Sequence, residues 1–318
     1  ARVIPAMKNI AAIVTEYRWL SHAQVICDRF LMGYSISGRH HAPQARIVSM
    51  YVDQFPENDL SRARAEEHGF RIYPTITGAL RHESNDLSVD GVLIIGEHGE
   101  YPKNELGQTL YPRHEFHRQV GLVFKRDSKV APVFIDKHLS FEYERAAWMF
   151  RDAERGGYPL LAGSSIPVAI RLPALELPLG CHIDNALAVG YGGLDSYDFH
   201  ALEGLQCMVE RRGRGETGVR AVQYFEGDAV WAAGDEGVWS WELLSAAMSR
   251  SDSPQGNAAE DSRPEDVVGL GHIQGMVENP AAYVIEYSDG LRATMLLLDG
   301  ATKDFLFAAK LRGEDAPV

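Results

Sequence analysis

Cysteine is scarce. Cys27, Cys181 and Cys207 are the only three in 318 residues, too few and too scattered for a disulfide framework or a zinc ribbon. They read as buried or free thiols of a reducing compartment. The chain also lacks any run of the roughly 18 apolar residues that a membrane helix needs, and its start has no basic stretch followed by an apolar one. A soluble cytoplasmic protein with no membrane partner is the expectation, although Ala1 in place of Met leaves room for a removed export leader. Basic residues are outnumbered 31 to 44, giving a net charge of −13, and "ERRGRGE" at 210–216 is short and broken by acids. Nucleic acid is therefore not an expected partner, because a polyanion would be repelled by the overall field.

What is present is the composition of a globular protein, 45% hydrophobic and 24% charged, with length for two domains. "IAAIVT" at 10–15, "ARIVSMYVDQF" at 45–55, "VDGVLIIGEHG" at 89–99, "KVAPVFIDK" at 129–137 and "YPLLAGSS" at 158–165 read as strands. Helical periodicity separates them, in "EYRWLSHAQVICDRFLMGY", "NDLSRARAEEHGF", "YPRHEFHRQVGLVFKRD" and "FEYERAAWMFRDAERGG". Asp59 or Ser61 can cap the second of these helices and Gly69 can close it. This alternation predicts an α/β domain over 1–165, a Rossmann-like doubly wound parallel sheet. Three prolines in "SIPVAIRLPALELPLG" at 165–180 argue for a crossing segment. Residues 166–318 then read as an α+β domain with an antiparallel sheet. Its helix is "FHALEGLQCMVERR", its strands include "VRAVQYFEG" and "AAYVIEYSDGLRATMLLLDGATKDFLFAAKL", and "SDG" and "LDGATKD" are its hairpin turns. Residues 250–266, almost without apolar content, read as a surface loop.

In a doubly wound sheet ligands lie beyond the carboxyl ends of the strands. Collecting the residues there gives Thr15, Glu16, Tyr17 and Arg18; Asp53; Glu97, His98 and Glu100; Asp136, Lys137 and His138; Ser164 and Ser165. Asp53 closes the second strand, where an acid can accept bonds from the ribose of an adenosine cofactor. The first turn, "VTEYRWLSHA", has Tyr17, Arg18 and Trp19 where a G-x-G-x-x-G would need glycines, so either Arg18 offers a charge to a phosphate or no dinucleotide is held. Lys137 can donate a proton or anchor a substrate hydroxylate; ion pairing with Asp136 or Glu142 is the structural alternative. Asp198 and His200 precede or open the later helix and add a carboxylate and an imidazole.

The order of these elements, with Asp136-Lys137-His138 at a strand end and His200 leading the later helix, resembles the glucose-fructose oxidoreductase/inositol dehydrogenase (Gfo/Idh/MocA) family. The family's turn is Glu-Lys-Pro, so Asp and His are departures, as is the missing glycine loop. The resemblance implies NAD or NADP as cofactor, a small-molecule substrate such as a sugar or cyclitol, and a homo-oligomer. It implies Lys137, His200 and Asp198 as catalytic, Asp53, Arg18, Glu97 and His98 near the cofactor, and Asp136, His138 and Tyr17 near the substrate. A dinucleotide-independent hydrolase, lyase or isomerase, with a divalent metal held among Glu97, His98, Asp136, His138, Asp198 and His200, is the alternative. A non-catalytic sensor on the same fold is a third reading.

Overall fold

The computed structural model describes residues 7–253 and 265–318, and the chain divides into two compact units between Gly163 and Ser164. Most of the region read as a polar surface loop, residues 254–264, lies outside the described residues.

The first unit runs β1 (Lys8–Val14), α1 (His22–Met32), β2 (Tyr34–Ile36), β3 (Arg39–His41), β4 (Ala45–Val52), α2 (Ser61–His68), β5 (Arg71–Tyr73), α3 (Ile76–Arg81), β6 (Gly91–Ile95), α4 (Arg113–Asp127), β7 (Val133–Asp136), α5 (Tyr143–Gly156) and β8 (Leu160–Gly163). Six strands pair in the order β5-β4-β1-β6-β7-β8, every pair parallel. From Ile10 to Val14 strand β1 is apolar without a break because both of its faces are covered there. Ala11 and Ile13 enter one core with Ile76, Leu80, Phe116, Val120 and Met149. Their neighbours Ile10, Ala12 and Val14 enter the other with Ala23, Cys27 and Phe70, as a period of two requires. Since β4 and β6 leave β1 on opposite sides, the crevice for a ligand opens at the carboxyl end of β1.

In the first unit four elements escaped the sequence reading. Strand β5 and helix α3 are too short for periodicity to show, and β2 and β3 form an exposed hairpin between α1 and β4. At the entry of helix α2 the capping position falls on Leu60, without a side-chain cap, and not on Asp59 or Ser61. Asp59 accepts from Ser61 N at 3.2 Å and from Ser61 Oγ at 2.9 Å, and Gly69 closes the helix at φ +72°, where a Cβ would be strained.

The second unit comprises β9 (Ile183–Gly190), α6 (Asp198–Val209), β10 (Val219–Glu226), α7 (Asp228–Asp235), α8 (Trp241–Met248), α9 (Ile273–Met276), β11 (Ala281–Tyr287), β12 (Arg292–Leu297) and β13 (Leu306–Leu311). Their sheet has the order β10-β11-β12-β9-β13, antiparallel except where β9 runs parallel to β12. Helix α6 packs on one face through Ala201, Leu205, Met208 and Val209. Helices α7 and α8 cover the other with Val230, Trp231, Leu243 and Leu244. These two helices interrupt what the sequence suggested was an unbroken series of strands. "SDG" does join the hairpin β11–β12, but "LDGATKD" joins β12 to β13, which lie on either side of β9 rather than together. The hairpin assignment failed there because β9, earlier in the chain, was not recognised as the strand between them.

Gly96, at the carboxyl end of β6, has no room for a side chain: a Cβ would lie 2.5 Å from Cγ of Arg113. Gly96→Ala should therefore displace Arg113 and cost about 1–3 kcal/mol in urea denaturation. Gly275→Ala, where no atom stands within 4 Å of the added methyl, should cost nothing.

Candidate functional site in the first unit

The carboxyl ends of β1, β6 and β7 carry a connected polar cluster. Thr15 Oγ1 donates to the carbonyl of Glu97 at 2.7 Å, locking the ends of β1 and β6 together. Glu97 accepts from Arg113 Nη1 at 2.7 Å, and Arg113 Nη2 lies 3.2 Å from Nε2 of His138. Arg113 is 2% exposed and its guanidinium stands over the ring of Tyr111. Asp136 accepts from Nδ1 of His22 at 2.6 Å, and His22 meets the ring of His98 edge-on at 5.0 Å. Nδ1 of His98 is buried with no hydrogen-bond partner among the described residues.

Backbone strain marks the same place. Leu20, His98 and Lys137 have φ of +58°, +70° and +69°, in a region that costs a residue with a Cβ of the order of 1–3 kcal/mol. The carbonyl of Lys137 accepts from Gly163 N at 2.9 Å, which holds the turn. Burial is the main cause that lowers the Lys137 ammonium; Arg113 adds to it, against Glu97 and Asp136. Burial followed by the charge of Arg113 pushes His138 down to about 4, and His98 is lowered first by burial and then by His22.

The first loop, where a glycine cradle would lie, is filled by its own chain. Glu16 is 5% exposed and lies 2.5 Å from Nε of Arg18. The amides of Arg18 and Gln24 donate to Ser21 Oγ, that of Leu20 to Gln24 Oε1, and that of Ser21 to the carbonyl of Arg18. The loop is also pinned to the entry of α2, since Leu60 N donates to the carbonyl of Tyr17 at 2.7 Å. Asp53 is exposed and accepts from the hydroxyls of Tyr51 at 2.5 Å and Tyr101 at 2.7 Å. Gln54 and Glu100 exchange two bonds, closing the loops after β4 and β6 on each other.

Of the residues singled out in the sequence, the first unit thus brings Arg18, Glu97, His98, Asp136, Lys137 and His138 to adjacent strand ends, with Asp53 after β4. Tyr17 is a correction. It is completely buried, its hydroxyl on Asp28, which Arg64 and Gln24 also hold. A side chain packed into the core beneath α1 does not face a substrate. Asp198, in the second unit, accepts from Phe199 N at 2.8 Å and from the Tyr283 hydroxyl at 2.9 Å. In the second unit His200 Nδ1 lies 2.5 Å from Ser164 Oγ. One turn further along α6, Glu203 has its carboxyl raised by burial. Sequence reasoning missed His22, Tyr101, Arg113 and Glu203. Tyr101 sits in a loop, His22 and Arg113 begin helices, and nothing in their spacing pointed to the crevice.

The metal alternative finds no support: among the described residues no three His, Cys, Asp or Glu side chains group as a metal site. No described helix is long and apolar enough to cross a membrane. A cavity of about 600 Å³ in the second unit is lined mainly by apolar groups, among them Ile166, Leu172, Leu205, Met208 and Phe305, and not by His200.

No protein-family model matches the chain, and no curated protein does. Solved structures match its fold. GenD2 from gentamicin A biosynthesis, in complex with NAD, is 13% identical, with a TM-score of 0.54 over 100% of this chain and 73% of that one. UDP-N-acetylglucosamine 3-dehydrogenase GnnA from Acidithiobacillus ferrooxidans is 10% identical, with a TM-score of 0.52 over 96% and 72%. Apo scyllo-inositol dehydrogenase from Lactobacillus casei is 10% identical, with a TM-score of 0.51 over 99% and 75%. The chain spans 61% of the length of a Bordetella bronchiseptica RB50 chain described as a dehydrogenase. The fold these structures share with the chain is a Rossmann-like parallel sheet followed by a mixed-sheet unit.

The lowered histidines give a pH dependence. Burial lowers His117 to about 4, against Asp152, as it does His138, whereas an unfolded histidine titrates near 6.5. Between about 6.5 and 4 the unfolded chain binds more protons, so these groups make stability fall as pH falls through that window. Calorimetry should show Tm dropping between pH 7 and 5. His138→Gln, which keeps an acceptor for Arg113, should flatten the drop, and an unchanged slope would refute the assignment.

Proposed function

We propose that the chain is an NAD(P)-dependent oxidoreductase that moves a hydride between the cofactor and a carbinol carbon of a sugar, cyclitol or related polyol. The observation that carries the reading is Lys137, held in a left-handed turn at the carboxyl end of β7 in a sheet whose strand order is that of dinucleotide-binding folds. The printed identities of the neighbours, one in complex with NAD and others acting on a sugar nucleotide or an inositol, support the class of cofactor and substrate.

The fit to a dinucleotide is good at one end and altered at the other. Asp53 presents an exposed carboxylate after β4, suited to ribose hydroxyls and repellent to a 2′-phosphate, which favours NAD over NADP. The amide cradle for pyrophosphate is replaced by the internally bonded loop 15–21, and Arg18, itself paired with Glu16, is the cation left for phosphate. When bound, the nicotinamide supplies the hydride acceptor or donor. Lys137 holds the substrate oxygen, its lowered ammonium readily sharing a proton with a developing alkoxide. The resemblance gives a proton-carrying role to His200, which is in contact with Ser164. A homo-oligomer belongs to the same reading, supported by the exposed Val219, Val222 and Tyr224 of edge strand β10; sedimentation as a monomer would remove it.

A second reading is favoured by one observation, the consumed amides beside the buried Glu16: unit-one chemistry without any dinucleotide. Fluorescence titration separates the two, with Trp19, 65% exposed in the altered loop, as reporter. NADH is expected to quench it saturably, Arg18→Ala to weaken binding about tenfold, equivalent to ~1.4 kcal/mol, and Lys137→Ala to spare binding while abolishing turnover. No binding of either NADH or NADPH at millimolar concentration would sink the oxidoreductase.

A further inference from the structure

The polar cluster contains an acid–base pair that neither the sequence motif nor the fold assigns. We propose that His22, oriented by Asp136, is a general base of this site and takes the proton of a substrate hydroxyl at Nε2. The inference rests on the strand-end site proposed above but does not require a dinucleotide to be bound.

Three observations carry it. The first is geometry. Nδ1 of His22 lies 2.6 Å from Oδ2 of Asp136, the length of a charge-assisted bond. A carboxylate on one ring nitrogen fixes the proton there and leaves the lone pair on the other. The second is access. The His22 side chain is 31% exposed while that of Asp136 is 14% exposed. Nε2 of His22 has no hydrogen-bond partner among the described residues. The more buried member orients the ring of the more exposed one, the division of labour of a carboxylate that positions a catalytic imidazole. The third is place. His22 begins α1 directly after Ser21, whose hydroxyl caps the helix, and its ring reaches Asp136 at the end of β7 and His98 after β6. Asp136 is the last residue of β7 and immediately precedes the strained Lys137.

The step balances without a further reagent. The substrate O–H bond breaks as the Nε2–H bond forms. The imidazolium is stabilised by the ionised Asp136, and the proton passes to water from the exposed edge of the ring. The groups that face this pair are Asp136 itself, His98 across the ring contact, Lys137 next in the chain, and the charged Glu16, Arg18 and Glu97 around His98.

A purely structural role, tying α1 to β7, makes different predictions. His22→Asn keeps a donor near the Nδ1 position and removes the basic nitrogen, so a tie would be rescued and a base would not. In the apoprotein, peptide-mapped reaction with diethyl pyrocarbonate at pH 7 is expected to modify His22 faster than His40, an exposed histidine of the β2–β3 hairpin. Asp136→Asn should slow His22 about tenfold and leave His40 unchanged. Nitrogen-15 spectra of the imidazoles should show the Nδ1–H tautomer for His22 in the parent and its loss in Asp136→Asn. A rate at His22 that ignores Asp136, or an Nε2–H tautomer in the parent, overturns the proposal whether or not NAD binds. Where NAD does bind, NAD-dependent oxidation of myo-inositol should fall by roughly 10²–10⁴ in kcat in His22→Asn, with Tm held within a few degrees. Full turnover in that variant overturns it equally.

Discussion

A single buried guanidinium organises the carboxyl ends of the strands. Arg113, the first residue of α4, joins Glu97 after β6 to His138 after β7, and it can lie there only because Gly96 has no side chain. Removing such a charge from water costs several kcal/mol unless an ion pair and further bonds offset it. Glu97 provides the ion pair, and the Tyr111 ring adds a face that a cation favours. The consequences spread from there. A permanent cation against His138 keeps that imidazole neutral and contributes to lowering Lys137. Burial is the first cause of both shifts, and one arginine adds to it at two of the three residues of the Asp136-Lys137-His138 turn.

The altered first loop follows from a similar constraint. Tyr17 fills the space under α1 and its hydroxyl needs a partner, which Asp28 supplies with Arg64 behind it. Once that side chain is in the core, the loop cannot bend as closely as glycines would allow. Its amides turn inward to Ser21 and Gln24. Glu16, brought to the rim with almost no exposure, is compensated by Arg18 beside it. A phosphate arriving here meets side-chain charges of both signs in place of a ring of backbone donors. Its binding depends on how far Arg18 releases Glu16.

Much of this architecture was legible in the residues. Long apolar strands separated by periodic helices led directly to the parallel sheet, and "FIDKHL" was recognisable as a strand running into a polar turn. What escaped was short or depended on contacts distant in the chain. Strand β5 has three residues, too few for any period. Strand β9 acquires its place only by lying between β12 and β13, which follow it by a hundred residues or more. Tyr17 and Arg113 show the same limit at the site. An aromatic near a strand end suggested a ligand, yet Tyr17 is a core residue, and Arg113, a buried strut, was not singled out at all. His22 was invisible because its meaning lies in Asp136, 114 residues away.

Strain and side-chain direction together explain why this turn keeps a lysine. At φ +69° a glycine would relieve the backbone, and the hydrogen bond from Gly163 N to the carbonyl of residue 137 needs no side chain to form. A chain selected for stability alone would place glycine there. The left-handed conformation, however, reverses the direction in which Cβ leaves a strand's end. It turns residue 137 away from the alternation that puts Phe134 and Ile135 into opposite cores. The lysine is therefore neither packed into a core nor fully released to water, and burial weakens its hold on its proton. His98 repeats the pattern after β6, with φ +70° and an imidazole nitrogen left buried and unsatisfied. Two residues on adjacent strands thus combine a left-handed backbone with a partly buried titratable group whose pKa burial lowers, a pairing of strain and perturbed charge that agrees with the proposed site.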